Sequence, residues 1–539
     1  MRSTGGSGKT VTEASPETRA KAWLAHRPKY FRYLIFAVCA SLYLLPFMRL
    51  HYSGDEGYFV TGAVRIVHGQ VFARDFVELM GPGSFYLLAA FFKLFGVSFL
   101  ATRISLFLSS LGTGLLLYFL SRRVCGGYQS LPFILLVSTW FGVVWPGISH
   151  HVDSNFFALL SVACVVLWLD RPRNGLLIAA GALAGVTAFT LQTKGVLLFC
   201  AILVWFWLRR RRVSAPLFSI GMITAGFLCV VGIVLLYFQA RGALGALVYA
   251  IVVWPFRHYG TVNTVPYAQG IVSWYWDRYI TMKDAFSWPF SLAAVAAAAV
   301  LIAPLLFVAA LPALVPLSAL LAILPGGNKW RTVTPEIALY GLCGSALWLS
   351  EIHRKDIAHL VFGSPLLIIL FIYFLEVNRS RFSSYALQLL AIAALWLAAF
   401  NLMGVLTAHS VMTRAGSVAV FKDDPVLAFL DTHVAAGEEM FVYPYHPMYY
   451  FLSATTNPTR YNILLYKYST PAQFQEVVGV LERRRVRYVV WDTTFEARSQ
   501  DYFPGSHPNS PGDRIIEPYL ESHYRLVEDH HGIWIMERK

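Results

Sequence analysis

The apolar run Tyr33 to Leu50 (YLIFAVCASLYLLPFMRL) and the stretch Ser53-Gly54-Asp55-Glu56-Gly57-Tyr58 just after it decide how the rest of the chain is read. The run is long enough to cross a hydrocarbon core, which takes roughly 20 residues. The stretch puts two adjacent carboxylates where such a segment would emerge. Around them, 57% of the 539 residues are hydrophobic and 14% charged, with a mean hydropathy of +0.54. That composition belongs to an α-helical polytopic membrane protein and excludes a water-soluble globule. A net charge of +14 would suggest nucleic acid in a soluble chain. Here the cations lie in short runs between apolar segments, so they report topology, with membrane lipids as the surroundings and no nucleic-acid partner. The six cysteines are scattered, without CxxC or Cys/His spacing, so neither a disulfide framework nor a zinc knuckle is indicated.

Outward from the opening stretch, residues 1–32 are polar and basic, without the small-residue cleavage site of a signal peptide, and are expected to be a cytoplasmic tail. After Asp55, the residues Phe59, Ala63, Ile66 and Val67 recur at helical spacing among polar neighbours, which predicts an amphipathic helix in the interface. A second interfacial helix follows the turn Gly81-Pro82-Gly83, carried by Phe85, Leu88, Ala89 and Phe92. Further spans are expected near 98–120, 131–148, 154–169, 175–192, 195–208, 216–239, 290–324, 334–350, 358–376 and 384–406, about eleven with the first. The segment 290–324 holds Pro304, Pro312 and Pro316, so a kinked helix and a span plus a re-entrant piece both fit. Single crossings then put Arg122 and Arg123, Arg171 and Arg173, Arg209 to Arg212, Lys329 and Arg331, and Arg379 and Arg381 on the side of the N-terminal tail. Residues 33–406 are expected to form the membrane domain and 407–539 an extracytoplasmic soluble α/β domain. Strands are expected at 439–443, 487–491 and 532–536, and helices near 425–435, 471–484 and 513–523.

The same topology gathers a polar set on the outer side: Asp55, Glu56, Asp75, Glu78, His150, His151, Asp153, Lys194, Arg257, His258, Glu351, His353, Arg354, Lys355, Asp356 and His359. Ionisable groups at span ends are costly and usually line a site or water, although a single one is more often an interface anchor. Arg354 and Lys355 break the charge pattern obeyed elsewhere, and cations on that side suit an anionic ligand such as a phosphate.

These residues resemble a known family. Asp55-Glu56 with Tyr58 and Ala63, Arg74-Asp75-Phe76, Gly81-Pro82 with Phe85-Tyr86 and Leu88, then Phe95-Gly96 and Arg103 are similar to the first outer loop of the GT-C superfamily. Within it, the likeness is to the branch of dolichyl-phosphate-mannose protein mannosyltransferases and lipid A aminoarabinose transferases. His151-Val152-Asp153 resembles that branch's second outer aspartate, and Thr193-Lys194-Gly195 its Thr-Lys-Gly element. Arg354, Asp356, His359 and Pro365 resemble the polar entry to a late span. The likeness covers roughly residues 33–376. One departure is Met80-Gly81-Pro82-Gly83, where better-known relatives carry a Lys or His beside Pro-Pro.

The resemblance implies an inverting transfer of a hexosyl or pentosyl group from a polyprenyl-phosphate carrier to a lipid, protein or glycan acceptor, at the outer face of the cytoplasmic (inner) membrane. Asp55 is then the expected general base, with Asp153 as a second catalytic carboxylate. Glu56, about 100° away on a helix, is left open as a helper, a divalent-metal ligand or a helix-dipole partner, and no cofactor is assigned. Lys194, Arg257, Arg354 and Lys355 are candidates for the donor phosphate, and Asp75, His151, His258, Asp356 and His359 for other substrate contacts. The alternative is a transporter or flippase of lipid-linked sugars, which predicts internal repeats and midplane charges; neither is visible in the sequence. A third option makes the aromatic stretch Tyr443 to Phe451 a partner-binding surface, against which stands its use as core or as the seam to the membrane domain.

Overall fold

Helix and 3-10 turns run without a break from Lys29 to Arg49, as expected of an apolar stretch with no glycine, and its Pro46 falls at the start of the tighter 3-10 turn. The computed structural model describes residues 29–50, 55–78, 80–126, 147–212, 215–259, 264–273, 275–276, 280, 292–323, 333–378, 381–500 and 503–539. Most of the basic tail, residues 131–146 of the span expected at 131–148, and the cations Lys329, Arg331 and Arg379 lie outside them.

Among the described residues, six helices are long and apolar enough to cross a membrane: Tyr30–Arg49, Phe99–Val124, His150–Asp170, Pro216–Ala240, Val295–Ala322 and Ser384–Leu406. The chain is a multi-pass membrane protein. The segments expected at 175–192, 195–208 and 334–350 are helices, Asn174–Thr190, Gln192–Leu208 and Pro335–Ser350, of 17, 17 and 16 residues. They lie at or just under the short end of the length that crosses a hydrocarbon core. The segment expected as one span at 358–376 is instead two helices, Ile357–Gly363 and Pro365–Asn378, bent by 68°. Pro365 brings no N–H and its ring disfavours the helical conformation of the residue before it, so the break falls at Ser364. By contrast Leu292–Ile323 runs through Pro304, Pro312 and Pro316 as one helix of 32 residues. That is about 48 Å at 1.5 Å per residue, longer than the hydrocarbon core.

Close approach between neighbouring helices rests on small residues. A Cβ on Gly181 would lie 1.9 Å from the Ile223 carbonyl oxygen, and one on Gly226 would lie 2.0 Å from that of Ile178. Helices Asn174–Thr190 and Pro216–Ala240 therefore meet backbone to backbone, as small-residue faces allow in apolar surroundings.

The two helices expected to lie in the interface are Glu56–Val67 and Gly83–Phe95. The first differs from the amphipathic expectation: Glu56 through Ala63 are all buried. Its apolar face packs on Phe85, and its opposite face meets the short helix Met448–Leu452 from the C-terminal region, so no face of residues 56–63 is left for lipid.

The C-terminal region holds a hairpin, β1 (His409–Thr413) with β2 (Gly416–Val420), and a four-stranded sheet. The sheet is built from β3 (Met440–Tyr443), β4 (Tyr488–Asp492), β5 (Tyr524–His530) and β6 (Ile533–Arg538) in the order β3-β4-β6-β5. β3 and β4 are parallel, and the helix Pro471–Arg484 lies in the crossover between them. Its start carries Thr470 and Gln473 as a reciprocal capping box. β6 runs antiparallel to both β4 and β5. β3 and β4 are buried along their whole length, whereas β5 is mostly exposed, which is why its polar sequence gave no strand expectation.

The region is stitched to the segment that carries helices Glu56–Val67 and Gly83–Phe95. Val77 N donates to the Arg460 carbonyl at 2.9 Å, Arg65 Nη2 to the Thr459 carbonyl at 2.6 Å, and Asn462 Nδ2 to Glu78 Oε1 at 2.8 Å. Phe99 N, at the head of helix Phe99–Val124, donates to the Ala415 carbonyl at 2.7 Å. At the far end of that helix Arg123 meets Asp170 at 2.5 Å and Glu336 at 3.5 Å. The bundle thus has one end under the C-terminal region and one end ringed with arginines.

Candidate active site at the seam

The adjacent carboxylates part company in the structure. Glu56 is fully buried and takes both Nη groups of Arg103, at 2.5 and 2.8 Å, together with Ile148 N at 3.0 Å. Arg103 in turn lies 4.2 Å from the Phe99 ring centroid. With three donors on its carboxylate, Glu56 fixes the start of its helix to Phe99–Val124. Asp55, one residue earlier, does not cap the helix; its carboxylate lines a cavity of about 410 Å³ and accepts a hydrogen bond from the Tyr445 hydroxyl.

The cavity lies between the bundle and the C-terminal region. One wall is Asp55, Tyr58, Glu78, His150 and His151; another is Glu351, His353, Arg354 and His359; the C-terminal region closes it with Tyr445, Tyr461, Tyr468 and Phe503. The second wall is ordered by a chain of polar contacts. Lys194 Nζ is 2.7 Å from Asn155 Oδ1 and 2.8 Å from Glu351 Oε1. Glu351 Oε2 is 3.5 Å from His151 Nδ1, and the His151 and His359 rings meet edge to face at 4.7 Å. His359 Nδ1 is 2.8 Å from Asp356 Oδ1, and Arg354 Nε donates to Asp356 Oδ2 at 3.1 Å. Burial pulls the Asp356 carboxyl upward, but His359 and Arg354 outweigh it and hold the group well below the usual carboxylate range. Asp356 also caps helix Ile357–Gly363 by accepting from His359 N at 3.1 Å.

The remaining expected residues are placed as follows. Asp153 lies inside the bundle, accepting from Ser84 Oγ at 2.7 Å and Ser109 Oγ at 3.1 Å, and does not line the cavity. Lys194 stands behind the wall, its charge matched by Glu351. Asp75 closes the loop turn with Arg74 and Val71 N. Arg257 is exposed, His258 is half-buried beside Trp254, and the Lys355 carbonyl accepts from Ala268 N; none of the three lines the cavity. The structure thus brings together Asp55, His151, Arg354 and His359, with Asp356 and Lys194 holding them from behind.

Glu78 was grouped with the outer polar residues without a role, and it is a member of the lining. Burial pushes its carboxyl up to about 8, against the hydrogen bond from Asn462 and the charge of Arg65. Its signal in the sequence was its place just ahead of Met80-Gly81-Pro82-Gly83. That turn nests on the end of helix Asn174–Thr190, where a Cβ on Gly81 would come 2.1 Å from the Phe189 carbonyl oxygen. A proline or any other residue with a Cβ at position 81 would clash with that carbonyl. Among the described residues, no group of three or more His, Cys, Asp or Glu side chains is arranged to hold a metal.

Residues 80–235 match the family model described as dolichyl-phosphate-mannose-protein mannosyltransferase. No curated protein matches the chain in sequence. Among solved structures, the chain is similar to the apo oligosaccharyltransferase of Archaeoglobus fulgidus, with a TM-score of 0.53 at 13% identity, over 95% of this chain and 75% of that one. The same organism's oligosaccharyltransferase AglB, with an inhibitory peptide and a dolichol-phosphate, gives 0.45 at 12% identity, covering 95% and 74%. ArnT from Cupriavidus metallidurans, bound to undecaprenyl phosphate, gives 0.43 at 12%, covering 96% and 98%. Residues 80–235 thus match the dolichyl-phosphate-mannose-protein mannosyltransferase family model within a multi-pass membrane fold similar to that of the Archaeoglobus fulgidus oligosaccharyltransferase.

Proposed function

We propose that this protein transfers a sugar from a polyprenyl-phosphate carrier to a hydroxyl acceptor, with inversion, at the outer face of the cytoplasmic membrane. The observation that carries it is one cavity lined by the Asp55 carboxylate, the Arg354 guanidinium and the His151 and His359 rings, next to a domain whose family is named for a dolichyl-phosphate-mannose donor. The acceptor oxygen attacks the anomeric carbon, its proton passes to Asp55, and the bond from that carbon to the phosphate oxygen breaks. The electron pair leaves with the polyprenyl phosphate, beside Arg354. A general base and a cation facing the departing charge are what such a displacement needs.

Residues 33–406 are then the catalytic membrane domain and 407–539 an outer domain that closes the site, with the N-terminus in the cytoplasm. Asp55→Asn is expected to abolish transfer while leaving expression and thermal stability unchanged. The measurement is loss of the endogenous polyprenyl-phosphate sugars of the source membranes, followed by mass spectrometry with protein in nanodiscs. Near-normal turnover by the variant would refute the assignment. Movement of the intact carrier-linked sugar across the bilayer, without its consumption, would mark a flippase.

A further inference from the structure

Tyr445 lies in the segment 444–447, which joins β3 to helix Met448–Leu452. The segment is held from two sides. On the membrane side Thr61 Oγ1 donates to the Pro447 carbonyl at 3.0 Å. A Cβ on Gly57 would lie 2.4 Å from Met448 N, so the backbones touch only two residues from Asp55. On the other side His446 Nε2 is 2.9 Å from Asp492 Oδ2, a buried carboxylate that also takes Arg498 Nη2 at 2.5 Å and Thr494 Oγ1 at 2.8 Å. His446 has φ +126°, a conformation that L residues rarely adopt and that surrounding contacts must enforce. The Tyr445 ring packs on Phe495 at 5.4 Å and Phe503 at 6.1 Å. With both ends of the contact fixed, the phenol donates to Asp55 Oδ1, and among the described residues it is the carboxylate's one hydrogen-bond donor.

We propose that Tyr445 is a positioning residue for Asp55, fixing the carboxylate through Oδ1 so that Oδ2 is presented to the acceptor hydroxyl. The inference rests on Asp55 being the base. A carboxylate has two oxygens and about four lone-pair directions, so one donor can orient it without consuming its capacity to take a proton. Tyr58, Glu78 and Tyr468 also line the cavity around the pair. The outer domain would then form part of the catalytic geometry besides covering the site, because one joint, Gly57 and Thr61 against Pro447 and Met448, sets the distance between the two side chains.

The test is Tyr445→Phe, which keeps the ring and its packing and removes only the hydroxyl. With the full-length protein in nanodiscs and the endogenous polyprenyl-phosphate sugars as substrate, kcat is expected to fall by up to about a hundredfold, the cost of angstrom-scale misplacement, at unchanged donor KM. Independently of substrate, the Asp55 carboxylate stretching band, assigned by difference against Asp55→Asn, should move in the infrared spectrum of Tyr445→Phe. An unmoved band, or an unchanged kcat, overturns the proposal. Retained turnover by Asp55→Asn would instead overturn the base assignment, so the two failures are distinguishable.

Discussion

Glu56 and Arg103 show what a buried ion pair does here. Neither side chain reaches solvent, and their bidentate contact ties two helices together. Removing one partner leaves an unmatched charge in a medium that cannot solvate it, which typically costs about 3–5 kcal/mol. Glu56→Ala and Arg103→Ala are each expected to lower the thermal unfolding midpoint by several degrees. The double variant should recover part of the loss; strictly additive losses would show that the pair does not act as a unit. Glu78 makes the opposite case, a buried carboxyl without a matching charge in contact. Its folded-state value of about 8 exceeds the unfolded value, so its contribution to stability is present in full below pH 4.5 and is lost as the pH rises through about 8. Wild type should lose stability relative to Glu78→Gln between pH 5 and pH 8, with the two nearly equal at pH 5. Parallel pH curves from differential scanning fluorimetry would contradict this.

At the scale of elements, helix contacts depend on glycines that permit backbone approach. Gly181 and Gly226 each lie about one atom's width from the facing carbonyl, so any side chain forces helices Asn174–Thr190 and Pro216–Ala240 apart. Gly181→Leu and Gly226→Leu are each expected to destabilise the protein by about 1–3 kcal/mol, and by more where the backbone cannot move. The measurement is the unfolding midpoint of purified variants in one detergent. Gly175→Ala, in open space on the same helix, is the control and should be neutral. The 3.6-residue periodicity was enough to locate helix Gly83–Phe95, because Phe85, Leu88 and Phe92 face one core. It misled about the environment of Glu56–Val67, since a half-polar helix looks the same whether its second face meets water, headgroups or another domain.

Across the whole molecule, the membrane bundle and the C-terminal region share one seam. Arg65 bridges it, donating to Gln70 Oε1 at 2.7 Å, to the Thr459 carbonyl at 2.6 Å and to Asn462 Oδ1 at 3.5 Å. Arg65→Ala is expected to raise hydrogen exchange at residues 70–78 and 457–463 together, while the cluster of Arg123, Asp170 and Glu336 at the other end stays unchanged. Exchange confined to one side of the seam would show that the two regions open separately. The strands β3, β4 and β6, and the nearness of Asp55, His151, Arg354 and His359 to one another, were legible in the sequence. They follow from hydropathy, from alternation and from where cations fall between apolar runs, all local or additive along the chain. Three things needed the tertiary structure: the split between Glu56 and Asp55, the withdrawal of Asp153 into the bundle, and the arrival of Tyr445 at the carboxylate from 390 positions away. Each depends on which polar atoms meet across the fold, and hydrogen bonds and ion pairs between distant segments leave no periodic trace in the sequence.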